Sequence, residues 1–220
     1  MERIPLMAEL SKHSAPASSG AGNPSEEAAA ALPAVSVVIA TRNRGPSVVA
    51  TIESVLASNH PRFEVIVIDQ STNDVTAAAV SNLLADPRLR YVHSDTVGYG
   101  RAHNLGLRIA RAPIVAMTDD DCVVPPNWVE TFERIFRSHP RVAVAYSNVL
   151  PAEHDPELGF VPAYVRSTDR LIRSLWRPPF TVGIGASMAV RRDAVRSLGG
   201  FDPALGPGGV FYSAGDRDIA

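Results

Sequence analysis

Residues 112–121 of the 220-residue chain read APIVAMTDDD. An apolar run of strand length is followed by three adjacent aspartates, which repel one another, hydrate strongly and are poor strand formers. A strand that is apolar at every position is typical of a sheet that is covered on both faces. This stretch therefore predicts a buried strand that ends in a charged cluster, and a divalent cation is the first candidate for the partner that offsets the charge.

Similar apolar runs lie on both sides of this strand along the chain. Strands are predicted over residues 34–41, 63–71, 90–94 and 142–150, and the spacing of apolar residues predicts helices from Pro46, over 75–84, over 100–112 and around 129–136. Residues 181–202 read as strand and then helix. Strands that alternate with helices indicate an α/β fold with a mostly parallel sheet and helices on both faces.

Polar residues follow three of the predicted strands at the point where each strand ends. They are Thr41 to Arg44, Asp69 to Ser71, and Asp119 to Asp121. The carboxyl ends of parallel strands meet at one edge of a sheet, and ligands of α/β sheets bind outside that edge. Three polar strand ends on one edge are a stronger signal of a binding site than any one of them alone.

The acidic run has the chemistry of a site for Mg²⁺ or Mn²⁺, which prefer oxygen ligands and are commonly shared between carboxylates and phosphates. In an extended segment residues two apart point the same way, so Asp119 and Asp121 are expected on one side and Asp120 on the other. The plainer alternative is an acidic loop whose charge favours the start of the next helix.

Composition excludes several classes of protein. The 21 basic and 23 acidic residues give a formal charge of −2, which lacks the basic excess typical of nucleic-acid binding. A single cysteine, Cys122, excludes an intramolecular disulfide and a cysteine zinc cluster, and indicates a cytoplasmic setting. No apolar run approaches the length of roughly 20 residues that a membrane span needs.

Six segments in chain order resemble glycosyltransferase family 2, whose domains have the GT-A fold. They are VSVVIATRNR, VIVIDQSTND, GRAHNLGL, AMTDDDCVVPPNW, GASMAVRRDAVRSLGGFD and AGDRDI, which together run from Val35 almost to the end of the chain. The resemblance implies an inverting transfer of a sugar from a nucleotide diphosphate sugar to an acceptor hydroxyl. The implied cofactor is Mn²⁺ or Mg²⁺.

The resemblance also implies roles for particular residues. The nucleotide-sugar would contact Thr41, Arg42, Asn43, Arg44, Asp69, Gln70, Gly100, His103, Asn104, Asp119 and Asp120. Asp121, with Asp119, would bind the metal, and Asp216 matches the position of the catalytic base. A base far along the chain from the metal ligands suits in-line attack, because base and leaving group lie on opposite sides of the anomeric carbon.

Three positions depart from the family pattern. Gln70 replaces an aspartate, which affects the preference for the nucleotide base. His103 replaces an arginine, which predicts a weaker and pH-dependent contact with the diphosphate. Gly215 replaces the glutamate next to the assigned base, Asp216. A uridine or thymidine diphosphate sugar is expected in preference to a GDP-sugar, whereas the sugar and the acceptor are left open.

Other functions were weighed against the same residues. A sugar-1-phosphate nucleotidyltransferase would need a glycine-rich loop after the first strand, where TRNRGP has one glycine, and a phosphatase of the aspartyl-phosphate type would need an aspartate at Ser71. The partial match of residues 98–103 to the dinucleotide fingerprint does not support a dehydrogenase. A non-catalytic or partner-dependent nucleotide-sugar-binding module remains the alternative.

The domain boundaries follow from composition. Residues 1–32, rich in Ala, Ser, Gly and Pro, are predicted to be a disordered tail or linker, and residues 33–220 to be one GT-A domain that is truncated if related chains continue further. The basic stretch 166–177 suits either a peripheral contact with an anionic membrane or a solvated helix face. The oligomeric state is not predicted.

Overall fold

The computed structural model describes residues 32–153, 155, 157, 159, 161–172 and 183–211. Its strands are β1 (Val35–Thr41), β2 (Phe63–Asp69), β3 (Leu89–His93), β4 (Ile114–Asp119), β5 (Val144–Tyr146) and β6 (Met188–Arg191). Its α-helices are α1 (Gly45–Leu56), α2 (Val75–Val80), α3 (Tyr99–Ile109), α4 (Trp128–Ser138) and α5 (Arg192–Ser197), and 3₁₀ turns lie at Ser81–Ala85 and Gly185–Ser187.

The six strands form one sheet in the order β3-β2-β1-β4-β6-β5. Strand β1 lies in the middle and pairs in parallel with β2 and β4, and β3 continues the parallel part at one edge. Strand β6 pairs antiparallel with both β4 and β5. The prediction of a mostly parallel α/β sheet is confirmed, and the carboxyl ends of β1, β2 and β4 share one edge.

The core lies on both faces of the sheet, because successive residues of each strand point to opposite sides. On one face Val35, Val37 and Ile39 pack with the apolar sides of α1 and α4. On the other face Val38 packs with residues of α3 and α5. At Gly106 of α3 an added Cβ would come within 2.5 Å of the Val38 side chain, so this glycine lets α3 lie close against β1.

Several element ends differ from the sequence predictions by a few residues. The helix predicted over 75–84 is α for six residues and then continues as the 3₁₀ turn. Helix α3 ends at Ile109 because Pro113 disfavours helical backbone at the residue before it, and the chain turns ahead of it. Strand β5 is three residues long, although an isolated bridge joins Val149 to Tyr164 beyond it.

Parts of several sequence predictions lie outside the described residues. They include the predicted tail up to Ala31, residues 173–177 of the basic stretch, and Asp216. The described part of the basic stretch is not helical: the Arg166 guanidinium lies over the ring of Tyr164, with 5.3 Å between Cζ and the ring centroid. Within the described ranges, no helix has both the length and the apolar character to cross a membrane. The cytoplasmic setting and the membrane contact stay predictions.

Candidate functional site

The acidic turn, which is defined here as Asp119–Cys122, lies at the carboxyl end of β4. Strand β4 ends at Asp119, and Asp120 and Asp121 form the turn that follows. One carboxylate oxygen of Asp119, one of Asp121 and the Sγ of Cys122 all lie within 4.8 Å of one another. The two carboxylates thus lie together in the turn.

Asp120 is the buried aspartate of the turn. Its side chain accepts a hydrogen bond of 2.6 Å from the Thr41 hydroxyl at the end of β1, and the residue is only 9% exposed. Burial raises the pKa of Asp120 although the Thr41 hydrogen bond and the nearby Arg44 lower it. Asp120 therefore joins the ends of β1 and β4 and fixes the position of the acidic turn.

Arg44 supplies the positive charge at this edge. Its Nη2 lies 2.5 Å from Oδ2 of Asp121, and its Nε lies 3.3 Å from Oδ1 of Asp120. Arg44 immediately precedes α1, and Pro46 in the first turn fixes the start of that helix. The loop after β1 therefore presents a guanidinium to the aspartates that follow β4.

The loops after β1 and β2 are held together by Asn43 and Ser71. Asn43 has a left-handed backbone with φ of 58°. Its N–H donates to Ser71 Oγ over 2.7 Å, and its side-chain oxygen accepts from the N–H of Thr72 over 3.0 Å. Asparagine tolerates this backbone better than most residues, so its identity suits the loop.

Asp69 is fully buried beneath these loops. Its Oδ1 accepts hydrogen bonds from the N–H and the hydroxyl of Ser71, and its Oδ2 accepts one of 2.5 Å from the hydroxyl of Tyr91. Burial and the hydrogen bond to Asp69 raise the pKa of the Tyr91 phenol. Asp69 therefore organises the loop in this structure, and its contact with a base or ribose stays a prediction.

Gln70 uses its amide to hold the residue that precedes α3. Its Nε2 donates to the carbonyl oxygen of Gly98 and to Oγ1 of Thr96, each over 3.3 Å, and its Oε1 accepts from the N–H of Gly98 over 3.2 Å. Both donors of the amide are thus engaged within the protein. The aspartate of the family pattern would have no N–H to donate to the Gly98 carbonyl. Its replacement by Gln70 therefore provides a hydrogen bond to the residue before α3.

Gly100, His103 and Asn104 contact the segment that follows α5. Asn104 forms two hydrogen bonds with the backbone of Phe201, one of 2.8 Å to its oxygen and one of 2.9 Å from its nitrogen. At Gly100 an added Cβ would lie 2.8 Å from the carbonyl oxygen of Asp202. The N–H of Tyr99 donates to Pro207. The start of α3 thus seats residues 200–208, and the nucleotide contacts assigned to it stay predictions.

His103 differs most from the expected diphosphate contact. The residue is 2% exposed, and its ring lies 4.1 Å from the ring of Tyr99 and 5.4 Å from that of Phe201, between centroids. Burial lowers the pKa of His103 to about 4, even though its Nδ1 bonds to the carbonyl oxygen of Tyr99. The ring is therefore neutral at physiological pH and packs in the core beside Phe201. This arrangement does not offer it to a diphosphate.

Residues 183–188, which lead into β6, lie against the end of β4 beside the acidic turn. Thr118, one residue before the turn, donates to the carbonyl oxygen of Ala186 over 2.9 Å. Trp128 is buried and donates from Nε1 to the hydroxyl of Ser187 over 2.8 Å, so it is a packing residue at the start of α4. These contacts hold the segment before β6 against the end of β4.

Two carboxylates on one side of a turn suit a hard divalent cation such as Mg²⁺ or Mn²⁺. Burial, followed by the charges of Asp119 and Asp121, raises the pKa of the Cys122 thiol to about 11, so the carboxylates are the charged members of the group. The residues present therefore fit the cation that the sequence predicts.

Ser71, one of the polar residues expected after β2, bridges Asn43 and Asp69. Tyr91, which donates to Asp69, was not identified from the sequence, because it belongs to no motif of charged residues. The register offers one signal, because Tyr91 pairs with Val67, two residues before Asp69 on the same side of β2. Arg42 is exposed, and no ion pair of its side chain is found among the residues that the structure describes.

The model of the family described as "Glycosyl transferase family 2" matches residues 36–199, which include both the loops and the acidic turn. The chain belongs to glycosyl transferase family 2. The chain is 36% identical over 115 residues to the succinoglycan biosynthesis protein ExoO of Rhizobium meliloti (strain 1021), and this match covers 51% of the chain and 33% of ExoO.

The match to a second relative covers more of the chain. The glucosyl-dolichyl phosphate glucuronosyltransferase of Haloferax volcanii is 26% identical over 180 residues, which is 78% of the chain and 57% of that protein. An uncharacterized glycosyltransferase of Rickettsia felis is 37% identical over 96 residues, which is 44% of the chain and 16% of that protein. The chain therefore spans between a sixth and somewhat over half of the length of these relatives.

Solved structures share the fold of this family 2 chain. Residues 1–349 of S. aureus TarS superpose with a TM-score of 0.67 at 20% identity, over 83% of the chain and 52% of that TarS fragment. The mannosyltransferase PcManGT of Pyrobaculum calidifontis superposes with a TM-score of 0.58 at 21% identity, over 86% of the chain and 50% of PcManGT. The predicted GT-A fold is confirmed.

Proposed function

We propose that this family 2 chain transfers a sugar from a nucleotide diphosphate sugar to an acceptor hydroxyl, with inversion at the anomeric carbon. The observation that carries the proposal is the acidic turn at the end of β4, where oxygens of Asp119 and Asp121 lie within 4.8 Å of each other. Thr41 at the end of β1 and Arg44 in the loop that follows contact that turn, and Asn43 ties the loop after β2 to the same β1 loop. The site thus combines carboxylates for a cation with polar loops for a nucleotide.

The donor is proposed to be a uridine or thymidine diphosphate sugar. The superposed structures support a nucleotide-sugar in general, because TarS was solved with UDP-GlcNAc and PcManGT with GDP-Man and Mn²⁺. Buried Gln70 has both amide donors engaged with Thr96 and Gly98. Discrimination between bases is therefore assigned to other groups of the β1 and β2 loops.

The cation would be held by Asp121 with Asp119, and Mn²⁺ or Mg²⁺ bound there would stabilise the negative charge of the departing nucleotide diphosphate. The protein contributes the position of these carboxylates. Asp120 anchors the turn to Thr41, and Arg44 adds a guanidinium that is suited to phosphate oxygens. These groups favour leaving-group departure because they are aligned before the donor arrives.

The acceptor hydroxyl needs a base, and the resemblance assigns that role to Asp216. A carboxylate that takes the hydroxyl proton as the bond to the anomeric carbon forms would make the acceptor a competent nucleophile. Asp216 lies outside the described residues. Residues 200–208, which α3 seats through Asn104 and Gly100, precede it along the chain. The seat on α3 is therefore proposed to position the segment that leads to the base.

Release of free nucleoside diphosphate from a panel of nucleotide-sugars tests this proposal. The panel pairs UDP-, dTDP- and GDP-sugars with saccharide and lipid-phosphate-linked sugar acceptors, since the names of ExoO and the H. volcanii enzyme point to polysaccharide and lipid-phosphate substrates. Acceptor-dependent release is expected with Mn²⁺ or Mg²⁺ and not with EDTA. Inversion is read from the anomeric configuration of the product.

Two variants separate the proposed roles. Asp121→Asn is expected to remove both turnover and metal-dependent nucleotide binding. Asp216→Asn is expected to lower the turnover rate by a factor of about 10² or more and to leave metal-dependent nucleotide binding intact. Binding without turnover for every donor and acceptor in the wild type would favour the non-catalytic binding module. Turnover that is unaffected by EDTA would contradict the role of the cation.

A further inference from the structure

Arg44 is the cationic partner of the acidic turn in this structure. Its guanidinium contacts two carboxylates at once, Asp121 through Nη2 at 2.5 Å and Asp120 through Nε at 3.3 Å. Asp121 is also a proposed metal ligand, and its oxygen in the ion pair, Oδ2, is one of only two that it has. A divalent cation and Arg44 therefore bind overlapping parts of the same carboxylate.

We propose that Arg44 competes with the divalent cation for Asp121, so that the cation enters the site together with the nucleotide diphosphate and not ahead of it. This inference rests on the proposed function and concerns the order in which the same site fills. Before the donor binds, the guanidinium offsets the charge of the acidic turn. The diphosphate supplies the negative charge that lets the guanidinium and the cation occupy the site at the same time.

Electrostatics supports competition between Arg44 and the cation before the donor binds. A cation at Asp121 would lie beside the positive guanidinium, and moving the guanidinium aside gives up a short charge-assisted hydrogen bond. When a diphosphate is present, each phosphate oxygen is a new acceptor for Arg44 and a new ligand for the cation. The two positive groups then share anions, and the like-charge repulsion is offset.

The geometry leaves the guanidinium free to move while its backbone stays fixed. The side chain of Arg44 is 49% exposed, and α1 begins at the next residue with Pro46 in its first turn. The preceding residue, Asn43, is tied to Ser71 and Thr72.

Asp120, which is buried and bonded to Thr41, supplies a second anchor that a cation at Asp119 and Asp121 does not take. The guanidinium can therefore leave Asp121 and keep Asp120.

Binding of Mn²⁺ alone, followed by the electron paramagnetic resonance signal of the free ion, tests the proposal. Arg44→Gln is expected to bind Mn²⁺ at least about tenfold tighter than the wild type without nucleotide, because one charged hydrogen bond no longer competes. Arg44→Lys, which keeps the charge, is expected to bind as weakly as the wild type. Arg108→Gln is the matched control, since it removes a positive charge from an exposed residue of α3 that has no assigned role in the site.

The same titrations are repeated with saturating UDP and with saturating GDP. UDP is expected to tighten Mn²⁺ binding strongly in the wild type and much less in Arg44→Gln, because the variant has already lost the competitor. Circular dichroism of each variant shows whether it is folded, and Arg44→Lys provides a second folded comparison. These two effects together, in Arg44→Gln and not in Arg108→Gln, would support the proposal.

Three results would overturn the proposal. Equal tightening in Arg44→Gln and Arg108→Gln would mean a general charge effect and no competition. Unchanged or weaker Mn²⁺ binding in Arg44→Gln, in a site that still binds Mn²⁺ in the wild type, would leave the proposed function standing and remove this inference alone. Failure of every protein to bind Mn²⁺, with UDP, with GDP or with neither, would remove the proposed function as well.

Discussion

His103 carries an imidazole in an apolar setting within α3. Its ring packs against Tyr99 and Phe201, and its Nδ1 bonds to the carbonyl oxygen of Tyr99. Burial lowers its pKa to about 4. The unfolded chain would protonate this side chain near pH 6.5, as ordinary histidine does, so the folded state binds fewer protons between those values. Stability contributed by the neutral ring is therefore present above pH 6.5 and is lost as the pH falls towards 4.

The free energy of unfolding should report this directly. Between pH 7.5 and pH 4.5 the wild type is expected to lose about 2–3 kcal/mol through His103 alone. The free energy of unfolding of His103→Phe should fall by about 2–3 kcal/mol less than that of the wild type over the same pH range, as measured by urea unfolding at each pH. His139→Gln, which changes an exposed histidine, should keep the wild-type pH dependence. An unchanged pH dependence in His103→Phe would contradict the neutral buried ring.

Individual residues also show which parts of the site a sequence can predict. Thr41, Arg44 and the three aspartates were assigned from position, because the ends of parallel strands converge on one edge. The partners of Asn104 could not be assigned in that way. Asn104 and Phe201 are 97 residues apart along the chain, and only the folded backbone brings them together. For the same reason His103 was expected at a phosphate although it packs in the core.

Helix α3 and the segment after α5 form one packed unit. Gly200 has φ of 84°, and a Cβ added there would lie 2.3 Å from Oδ1 of Asn104, the atom that accepts from Phe201. Gly199 has a similar φ of 96°, but an added Cβ would meet nothing within 4 Å. The two glycines thus separate the cost of left-handed backbone from the cost of breaking the contact between these elements.

Alanine at the two glycines should give different results. Gly199→Ala is expected to lower the free energy of unfolding by about 1–2 kcal/mol, through the left-handed backbone alone. Gly200→Ala is expected to cost about 1–3 kcal/mol more, because the Asn104 hydrogen bonds to Phe201 are also lost. Urea unfolding of both variants provides the comparison. Equal losses would mean that Asn104 does not hold the segment against α3.

The boundaries of elements were predictable only where local chemistry sets them. Strands β1, β2 and β4 lie within the predicted ranges because their runs are apolar on both faces. Strand β6 was read as a strand, but its antiparallel pairing with β4 depends on the long connection before it and could not be predicted. Strand β5 lies at the edge of the sheet, where its partner among the described strands is β6. Its short length could not be predicted either, because it depends on that pairing.

Across the whole molecule, the candidate site and a buried ionic network lie at opposite edges of the sheet. Glu64, at the start of β2, is 1% exposed. It accepts hydrogen bonds from Ser36, Arg90 and both the backbone and the side chain of Arg111. Burial alone would raise the pKa of Glu64, but these hydrogen bonds outweigh it and lower the pKa. Its contribution to stability is therefore present above the ordinary glutamate pKa and lost as the pH falls through the folded value.

Replacing Glu64 should affect stability without affecting the site. Glu64→Gln is expected to lower the free energy of unfolding by about 3 kcal/mol, because two arginines lose their buried anionic partner. The affinity for Mn²⁺ and UDP should stay within about twofold, since the carboxyl edge of the sheet is unchanged. Glu53→Gln, on the exposed side of α1, should cost less than about 0.5 kcal/mol. A large loss of nucleotide affinity in folded Glu64→Gln would contradict this separation.

The account depends on a cation held at Asp119 and Asp121 that joins the protein to a nucleotide diphosphate. Isothermal titration of UDP and dTDP into the wild type and Asp121→Ala, each with Mn²⁺ and with EDTA, measures this. The account predicts binding to the wild type with Mn²⁺, and no detectable binding with EDTA or in Asp121→Ala. Equal affinity in EDTA, or unchanged metal-dependent affinity in Asp121→Ala, would contradict it.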